Sequence, residues 1–171
     1  MSLESDIRAW DGKSADDIAK VFDRHVGSAR FASRLIALAA EADLERGATW
    51  LLKRGLETGA IELSEQQAVA FYGLFRTAQD WGAGLHLAQS IPHVPMPATS
   101  AAGVRALLDR QLTDRRAIVR AWAYWGYHEL ALAAPRYRAE AESLLLDAAA
   151  TERAGSVRVR VRKALEARGL G

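Results

Sequence analysis

The chain has 171 residues, of which 50% are hydrophobic and 26% are charged, a composition typical of a globular protein rather than of a disordered chain. It contains no cysteine, which excludes disulfides, thiolate nucleophiles and cysteine metal sites, and no apolar run approaches the roughly 18 residues needed to cross a bilayer. The formal net charge of +2 is too small to indicate a polyanionic partner by itself, and the first residues lack the pattern of a secretory signal, so we expect a cytoplasmic protein without a membrane partner.

Taken in chain order, the sequence predicts nine helices and no strand. Glycine and proline residues divide it into segments with room for about three or four helical turns. Within these segments apolar residues recur three and four positions apart, and Ser64 with Gln67 forms the pattern of a capping box. The predicted helices span residues 14–25, 30–41, 45–58, 65–77, 81–90, 101–112, 115–133, 136–152 and 156–168.

One segment is ambiguous. Residues 157–162 alternate valine with arginine, which is also the pattern of an exposed strand. Strong helix formers follow in residues 163–168, and no other segment offers a strand for pairing. We therefore interpret this segment as a helix.

The connections between the predicted helices are short, which favours neighbouring antiparallel pairs. The exception is the proline-rich segment 92–97, which we interpret as a stiff extended loop and a bend between repeats. Because the helical pattern continues on both sides of it, we predict a single domain over residues 1–171, with residues 1–13 as a candidate disordered tail.

Self-comparison finds one pattern that occurs twice: an acidic residue, four further residues, Val-Arg, and a small apolar residue three positions later. The first copy is Asp114, Val119, Arg120 and Ala123, and the second, 38 residues later (114 to 152), is Glu152, Val157, Arg158 and Val161. The pattern resembles the turn and second helix of HEAT repeats, whose period is about 40 residues. The resemblance covers about residues 100–168, and it departs from the family at Glu152, usually aspartate, and at Val161, commonly alanine.

This resemblance implies an all-α fold, an α-α superhelix of about four stacked antiparallel helix pairs, with helix 14–25 as an N-terminal cap. Each pair has too little apolar surface to fold alone, so pairs must stack to bury it. The turn acid and the arginine can then bridge successive pairs. That structural role is the favoured interpretation of Arg120 and Arg158, and contact with a ligand is the alternative.

Two groups of residues are candidate binding sites for a ligand or partner. In helix 115–133, four side chains fall at four-residue steps on one face and could hold a phosphate, a nucleotide base or an acidic peptide: Arg116, Arg120, Tyr124 and His128. The second group, in helix 81–90, is Trp81, His86 and Gln89. For both groups the favoured interpretation is structural, because such side chains also cover neighbouring helices or bond within the core. Trp10 and Trp50 are interpreted as core residues or as hydrophobic staples at helix ends.

Enzymatic functions receive little support from the sequence. His128-Glu129 is similar to the His-Glu pairs of the HEAT-type deoxyhypusine hydroxylases, but that di-iron site draws on several such pairs and this chain has one. Asp80-Trp81 is superficially similar to the HEAT-like DNA alkylpurine glycosylases, but the aspartate expected four residues after the tryptophan is Leu85. No metal-ligand spacing, glycine-rich phosphate loop or nucleophile elbow occurs, so we predict no catalytic residue, metal or cofactor.

Two functions are consistent with these sequence features. The first is a non-catalytic module that binds a protein or peptide partner on the concave surface of the stacked pairs. The second is nucleic-acid binding, in a protein related by architecture to the HEAT-like glycosylases, through the basic residues of 105–171. That segment carries 13 Lys and Arg against 8 Asp and Glu, whereas residues 1–104 carry 10 against 13.

Overall fold

All regular structure in the computed structural model, which describes residues Met1–Gly171, is helical. The ten helices are α1 (Leu3–Ala9), α2 (Ala15–His25), α3 (Phe31–Leu38), α4 (Glu45–Glu57), α5 (Glu65–Thr77), α6 (Trp81–Ser90), α7 (Ala101–Leu112), α8 (Ala117–Ala133), α9 (Arg138–Thr151) and α10 (Gly155–Ala167). Short 3-10 turns occur at Ile91–His93, Ala98–Ser100 and Pro135–Tyr137. The all-α prediction is therefore confirmed, with helix ends shifted by up to three residues.

Local signals explain where several helices begin. The Ser14 hydroxyl accepts the backbone N–H of Asp17, so it caps α2. Ser64 and Gln67 exchange side-chain and backbone bonds at the start of α5, as a capping box requires. The predicted capping box is thus confirmed.

The valine–arginine segment lies in α10. Val157 and Val161 are buried, whereas Val159 between them is 43% exposed. In a strand the three valines would face the same side, but four-residue spacing in a helix places the first and third on one face and the second elsewhere. The burial of Val157 and Val161, with Val159 exposed between them, therefore agrees with a helix and not with a strand.

The N-terminal residues were incompletely predicted. Residues 1–13, taken as a candidate disordered tail, contain α1, which packs against α2 and α4. Leu3 and Ile7 are buried at these contacts, and the Ser2 hydroxyl caps the helix. Helix 14–25, predicted as a lone cap, is therefore the second member of a pair. Seven residues with two buried apolar side chains are too few to show a helical period in the sequence.

The chain divides into two compact units, unit 1 (Met1–Val94) and unit 2 (Pro95–Gly171). In unit 1 the second helix of each pair packs on the next one, α2 on α4 and α4 on α6, and α3 packs on α5. In unit 2, α7 pairs with α8 and α9 with α10, and α8 packs on α10. Each unit is thus a stack of helix pairs. The single domain over residues 1–171 and the membership of the HEAT family stay predictions.

Side-chain bonds between adjacent pairs recur at a regular spacing. They join residues 32 to 37 positions apart: Arg8–Asp43, Ser33–Gln67, Arg46–Asp80, Thr49–His86, Arg105–Glu140 and Arg120–Glu152. The spacing is somewhat shorter than the 38 residues between the two copies of the acid-Val-Arg pattern. Because these bonds also occur in unit 1, the repeat extends to that unit, although no sequence pattern indicates it there.

Candidate functional site

Three tryptophans surround a cavity of about 200 Å³ in unit 1. Trp10 follows α1, Trp50 lies in the middle of α4, and Trp81 is the first residue of α6. Trp81 is 39% exposed, and the other two are half-buried. We call this cavity the indole pocket. The rest of its lining is Gly12, Lys13, Ala15, Arg46, Gly82, Leu85 and His86.

Two glycines allow the walls of the indole pocket to approach each other. A Cβ atom at Gly47 would lie 2.6 Å from Ile7 Cγ2 and 3.4 Å from Trp10 Cε3, so only a glycine lets α1 and its tryptophan pack this close to α4. A Cβ atom at Gly82 would lie 3.1 Å from Arg46 Nε. The pocket therefore depends on the lack of a side chain at Gly47 and Gly82 as well as on the three indoles.

Hydrogen bonds and ion contacts hold the indoles in place. The Trp10 indole N–H donates to the Ser14 carbonyl oxygen at 2.8 Å. The Arg46 guanidinium lies 5.1 Å from the centre of the Trp81 ring, and the Lys53 ammonium lies 5.8 Å from that of Trp50. These cation–π contacts place positive charge beside two of the three rings.

The Arg46 guanidinium is fixed by Asp80. Its Nε and Nη2 donate to the two carboxylate oxygens at 2.8 and 2.5 Å, and one of these oxygens also accepts the backbone N–H of Ala83 at the start of α6. Burial alone would raise the pKa of Asp80, but the bonds from Arg46 and from the helix N–H outweigh it and hold that pKa below its usual value. The pair is therefore ionised at neutral pH, and it fixes the wall of the pocket.

His86 forms part of the lining as a neutral imidazole. Its Nδ1 lies 3.1 Å from the Thr49 hydroxyl, which itself donates to the Glu45 carbonyl oxygen at 2.8 Å. Because the hydroxyl proton is used there, His86 Nδ1 donates to the hydroxyl, and Nε2 is left as an acceptor. Burial, with the nearby charge of Lys53, lowers the pKa of His86 to about 3. The imidazole therefore orders the contact between α4 and α6 without carrying charge at neutral pH.

The sequence group of Trp81, His86 and Gln89 is only partly brought together. Trp81 and His86 line the indole pocket, and Gln89, half-buried one turn further along α6, does not. Trp10 and Trp50, interpreted as core residues, line the same pocket. Their role was missed because it depends on packing between α1, α4 and α6. No sequence pattern indicated it, because the 34-residue separation of Arg46 and Asp80 is recognisable as an inter-pair bond only in the structure.

In unit 2, the predicted row on α8 faces neighbouring elements. Arg120 donates to both carboxylate oxygens of Glu152, at 2.7 and 3.2 Å, and to the Asp114 carbonyl oxygen at 2.9 Å. The backbone N–H and the guanidinium of Arg116 both donate to a carboxylate oxygen of Asp114, at 2.7 and 3.3 Å, and stabilise the turn before α8. Arg120 thus makes the bridge between pairs expected from the repeat.

The other two members of the row also lie against neighbours. Tyr124 is half-buried against the core shared with α10, and burial, with the nearby charge of Glu152, raises the pKa of its hydroxyl. His128 is 5% exposed, its ring centre lies 4.9 Å from that of Trp125, and burial, with the charge of Arg168, lowers its pKa. Their predicted role in ligand binding stays a prediction.

Two further tryptophans of α8 lie beneath a cation. Trp122 is half-buried under Arg160, whose guanidinium carbon lies 4.0 Å from the ring centre. The same guanidinium lies 5.8 Å from the ring of Trp125. The tryptophan faces of α8 are therefore covered by a cation of α10.

No group of three or more His, Asp or Glu side chains converges in a way that could hold a metal ion. None of the helices has the length and apolar character that crossing a membrane requires. Comparisons with protein-family models, with curated proteins and with solved structures find no match.

Proposed function

We propose that this protein is a non-catalytic helical-repeat module that binds a protein or peptide partner, and that the indole pocket receives one side chain of that partner. The observation that carries the proposal is the cavity of about 200 Å³ among three fixed indoles. Pockets for drug-sized ligands measure roughly 300–1,000 Å³, so this one suits a single large side chain. Tryptophan and arginine are also the residues most often responsible for binding energy at protein interfaces.

The charges around the pocket favour an apolar or aromatic anchor next to an acidic group. Arg46 and Lys53 lie beside two of the indoles, but each is paired with a carboxylate, that of Asp80 and that of Glu57 respectively. The unpaired positive charge at the pocket is that of Lys13, which is exposed there. A peptide with an aromatic side chain next to aspartate or glutamate therefore has the complementary chemistry.

Ion pairing within unit 2 favours this proposal over nucleic-acid binding. At least five of its thirteen basic side chains form ion pairs with carboxylates of the same unit: Arg105, Arg116, Arg120, Arg162 and Arg168. Arg160 lies on tryptophan and Arg136 lies on Tyr137. Phosphate binding needs basic side chains that are free to replace counterions. An arginine that is paired with a carboxylate must first lose that pair, which lowers its contribution to the binding free energy.

A peptide-display selection against the full chain tests the proposal, with selected peptides then titrated by fluorescence anisotropy. Trp81→Ala should weaken binding by about tenfold or more, because it removes one wall of the pocket. Leu132→Ala, which removes an exposed apolar side chain from α8, should leave binding unchanged. The proposal fails if no peptide is selected or if the two variants bind equally. Salt-sensitive binding of DNA or RNA in place of peptides would favour the nucleic-acid alternative.

A further inference from the structure

The last helix pair of unit 2 leaves one face open. α10 packs on α8 and α9 through a buried side that includes Val157 and Val161. Elsewhere on this pair, Val159 of α10 is 43% exposed and Leu146 of α9 is 51% exposed. A cavity of about 370 Å³ runs along Val159. We call this surface the C-terminal face and define it by Leu146, Ala149, Gly155, Arg158, Val159 and Arg162.

Within unit 2, α8 shows how such a face receives a following pair. Arg120, the fourth residue of α8, pairs with Glu152 in the turn before α10. Ala121 is 2% exposed in the core that it shares with α10, and Tyr124 packs against the same core. An arginine, a small apolar residue and a larger side chain one turn later thus form the receiving surface.

The C-terminal face repeats these positions in the same register. The 38-residue shift between the two copies of the acid-Val-Arg pattern relates Arg120 to Arg158, Ala121 to Val159 and Tyr124 to Arg162. Arg158 is likewise the fourth residue of its helix. It is exposed and makes no ion pair, and Val159 is 43% exposed. α10 therefore presents a receiving surface of the kind that α8 uses, with its arginine still unpaired.

We propose that the C-terminal face docks a helix pair of a partner protein whose connecting turn carries an acidic residue, and that this residue pairs with Arg158. The charge of the face supports an acidic partner, because Arg153, Arg158 and Arg162 all lie on it or beside it. Glu152 is already bound by Arg120, and Arg162 is paired with Glu166, so Arg153 and Arg158 are the basic side chains of the face without an ion pair. This inference goes beyond the indole pocket and does not depend on it.

A symmetric contact between two C-terminal faces is unfavourable. Two C-terminal faces in contact would place Arg158 and Arg162 against the same arginines of the other copy. The partner therefore presents a surface other than the C-terminal face itself.

A first experiment measures docking in trans. The probe is a fluorescein-labelled peptide of residues 138–168, which is itself a helix pair with an acidic turn, titrated against the full chain. We expect saturable binding that Arg158→Glu weakens by about tenfold or more and that a peptide carrying Glu152→Arg restores. The control Arg76→Glu, at an exposed arginine of α5, should leave the affinity unchanged. Equal binding to the wild-type chain and to Arg158→Glu would overturn the proposal.

A second experiment removes the dependence on peptide folding, since an unfolded peptide binds weakly for entropic reasons alone. The chain is extended by a second copy of residues 134–171, which raises the effective concentration of the added pair. Amide exchange of α10 should slow by about tenfold in the extended chain, and Arg158→Ala should abolish this gain. Unchanged exchange in the extended chain would overturn the proposal whatever the peptide does. A wild-type dimer that Val159→Asp dissociates would assign the face to a second copy and overturn the choice of partner.

Discussion

Arg120 donates to both carboxylate oxygens of Glu152, at 2.7 and 3.2 Å, across a sequence separation of 32 residues. Arg46 donates in the same way to Asp80, at 2.8 and 2.5 Å, across 34 residues. In both cases the arginine lies among the first four residues of a second helix, and the acid lies in the turn before the next second helix. The same bridge therefore ties neighbouring helix pairs in both units, although the acid-Val-Arg pattern is visible only in unit 2.

Arg120→Met should lower the free energy of unfolding by about 2–3 kcal/mol, because it leaves the Glu152 carboxylate, 13% exposed, without its partner. Arg115→Met, at an exposed arginine two residues before α8, should change it by less than about 0.5 kcal/mol. Urea unfolding followed by circular dichroism measures both. The double variant Arg120→Met/Glu152→Leu should recover part of the loss, since no buried charge remains. Equal effects of the two arginine variants would contradict the bridge.

Gly47→Ala and Gly73→Ala should have opposite effects on stability, although both replace a helical glycine. At Gly47 the new Cβ would lie 2.6 Å from Ile7 Cγ2, so α1 must move, at a cost of about 1–3 kcal/mol. At Gly73 no atom lies within 4 Å, so alanine should stabilise α5 by about 0.5–1 kcal/mol. Thermal unfolding gives the sign of each change. A stabilised Gly47→Ala variant would show that α1 does not pack closely on α4.

His86 should make the stability depend on pH in the weakly acidic range. In the folded chain its pKa is lowered to about 3, mainly by burial, against 6.5 for an ordinary histidine. The unfolded chain therefore binds a proton that the folded chain does not. The stabilisation is complete above pH 6.5 and is lost as the pH falls toward 3, by at most about 1.4 kcal/mol per pH unit. Comparing the unfolding free energies of wild type and His86→Gln at pH 7.5 and pH 5 isolates this contribution. Parallel pH profiles would contradict it.

Asp6 should make the stability depend on pH in a more acidic range than His86 does. Its carboxylate is buried and accepts bonds from His25 at 2.7 Å and Arg24 at 2.6 Å. The bond from His25 lowers the pKa of Asp6, and Arg24 adds to this effect against the opposing effect of burial. Because the folded pKa lies below the ordinary value of 3.8, the stabilisation is present above that pH and is lost as the pH falls through the folded pKa. Asp6→Asn should lower stability at pH 6 and flatten the acid limb of the pH profile. An unchanged acid limb would exclude this role.

The helices were largely predictable because their signals are local. A capping serine such as Ser64, a glycine after a helix and apolar residues three or four positions apart act within one or two turns, so the sequence displays them directly. The helix that the sequence did not predict, α1, carries few such local signals. Leu3 and Ile7 give it only two buried apolar side chains, and it is stable because α2 and α4 cover them.

The binding surfaces depend on which distant residues come together, and that information is not local. The sequence by itself determined the helix class, the helix starts and the recurrence of an acid before Val-Arg. Only the tertiary structure decided that Trp10, Trp50 and Trp81 share a pocket, that His128 is buried, and that Arg120 has a carboxylate partner while Arg158 has none. Helical periodicity tells which side of a helix is apolar, but the choice of neighbour on that side depends on packing between pairs more than 30 residues apart, as the separations of 32 and 34 residues demonstrate.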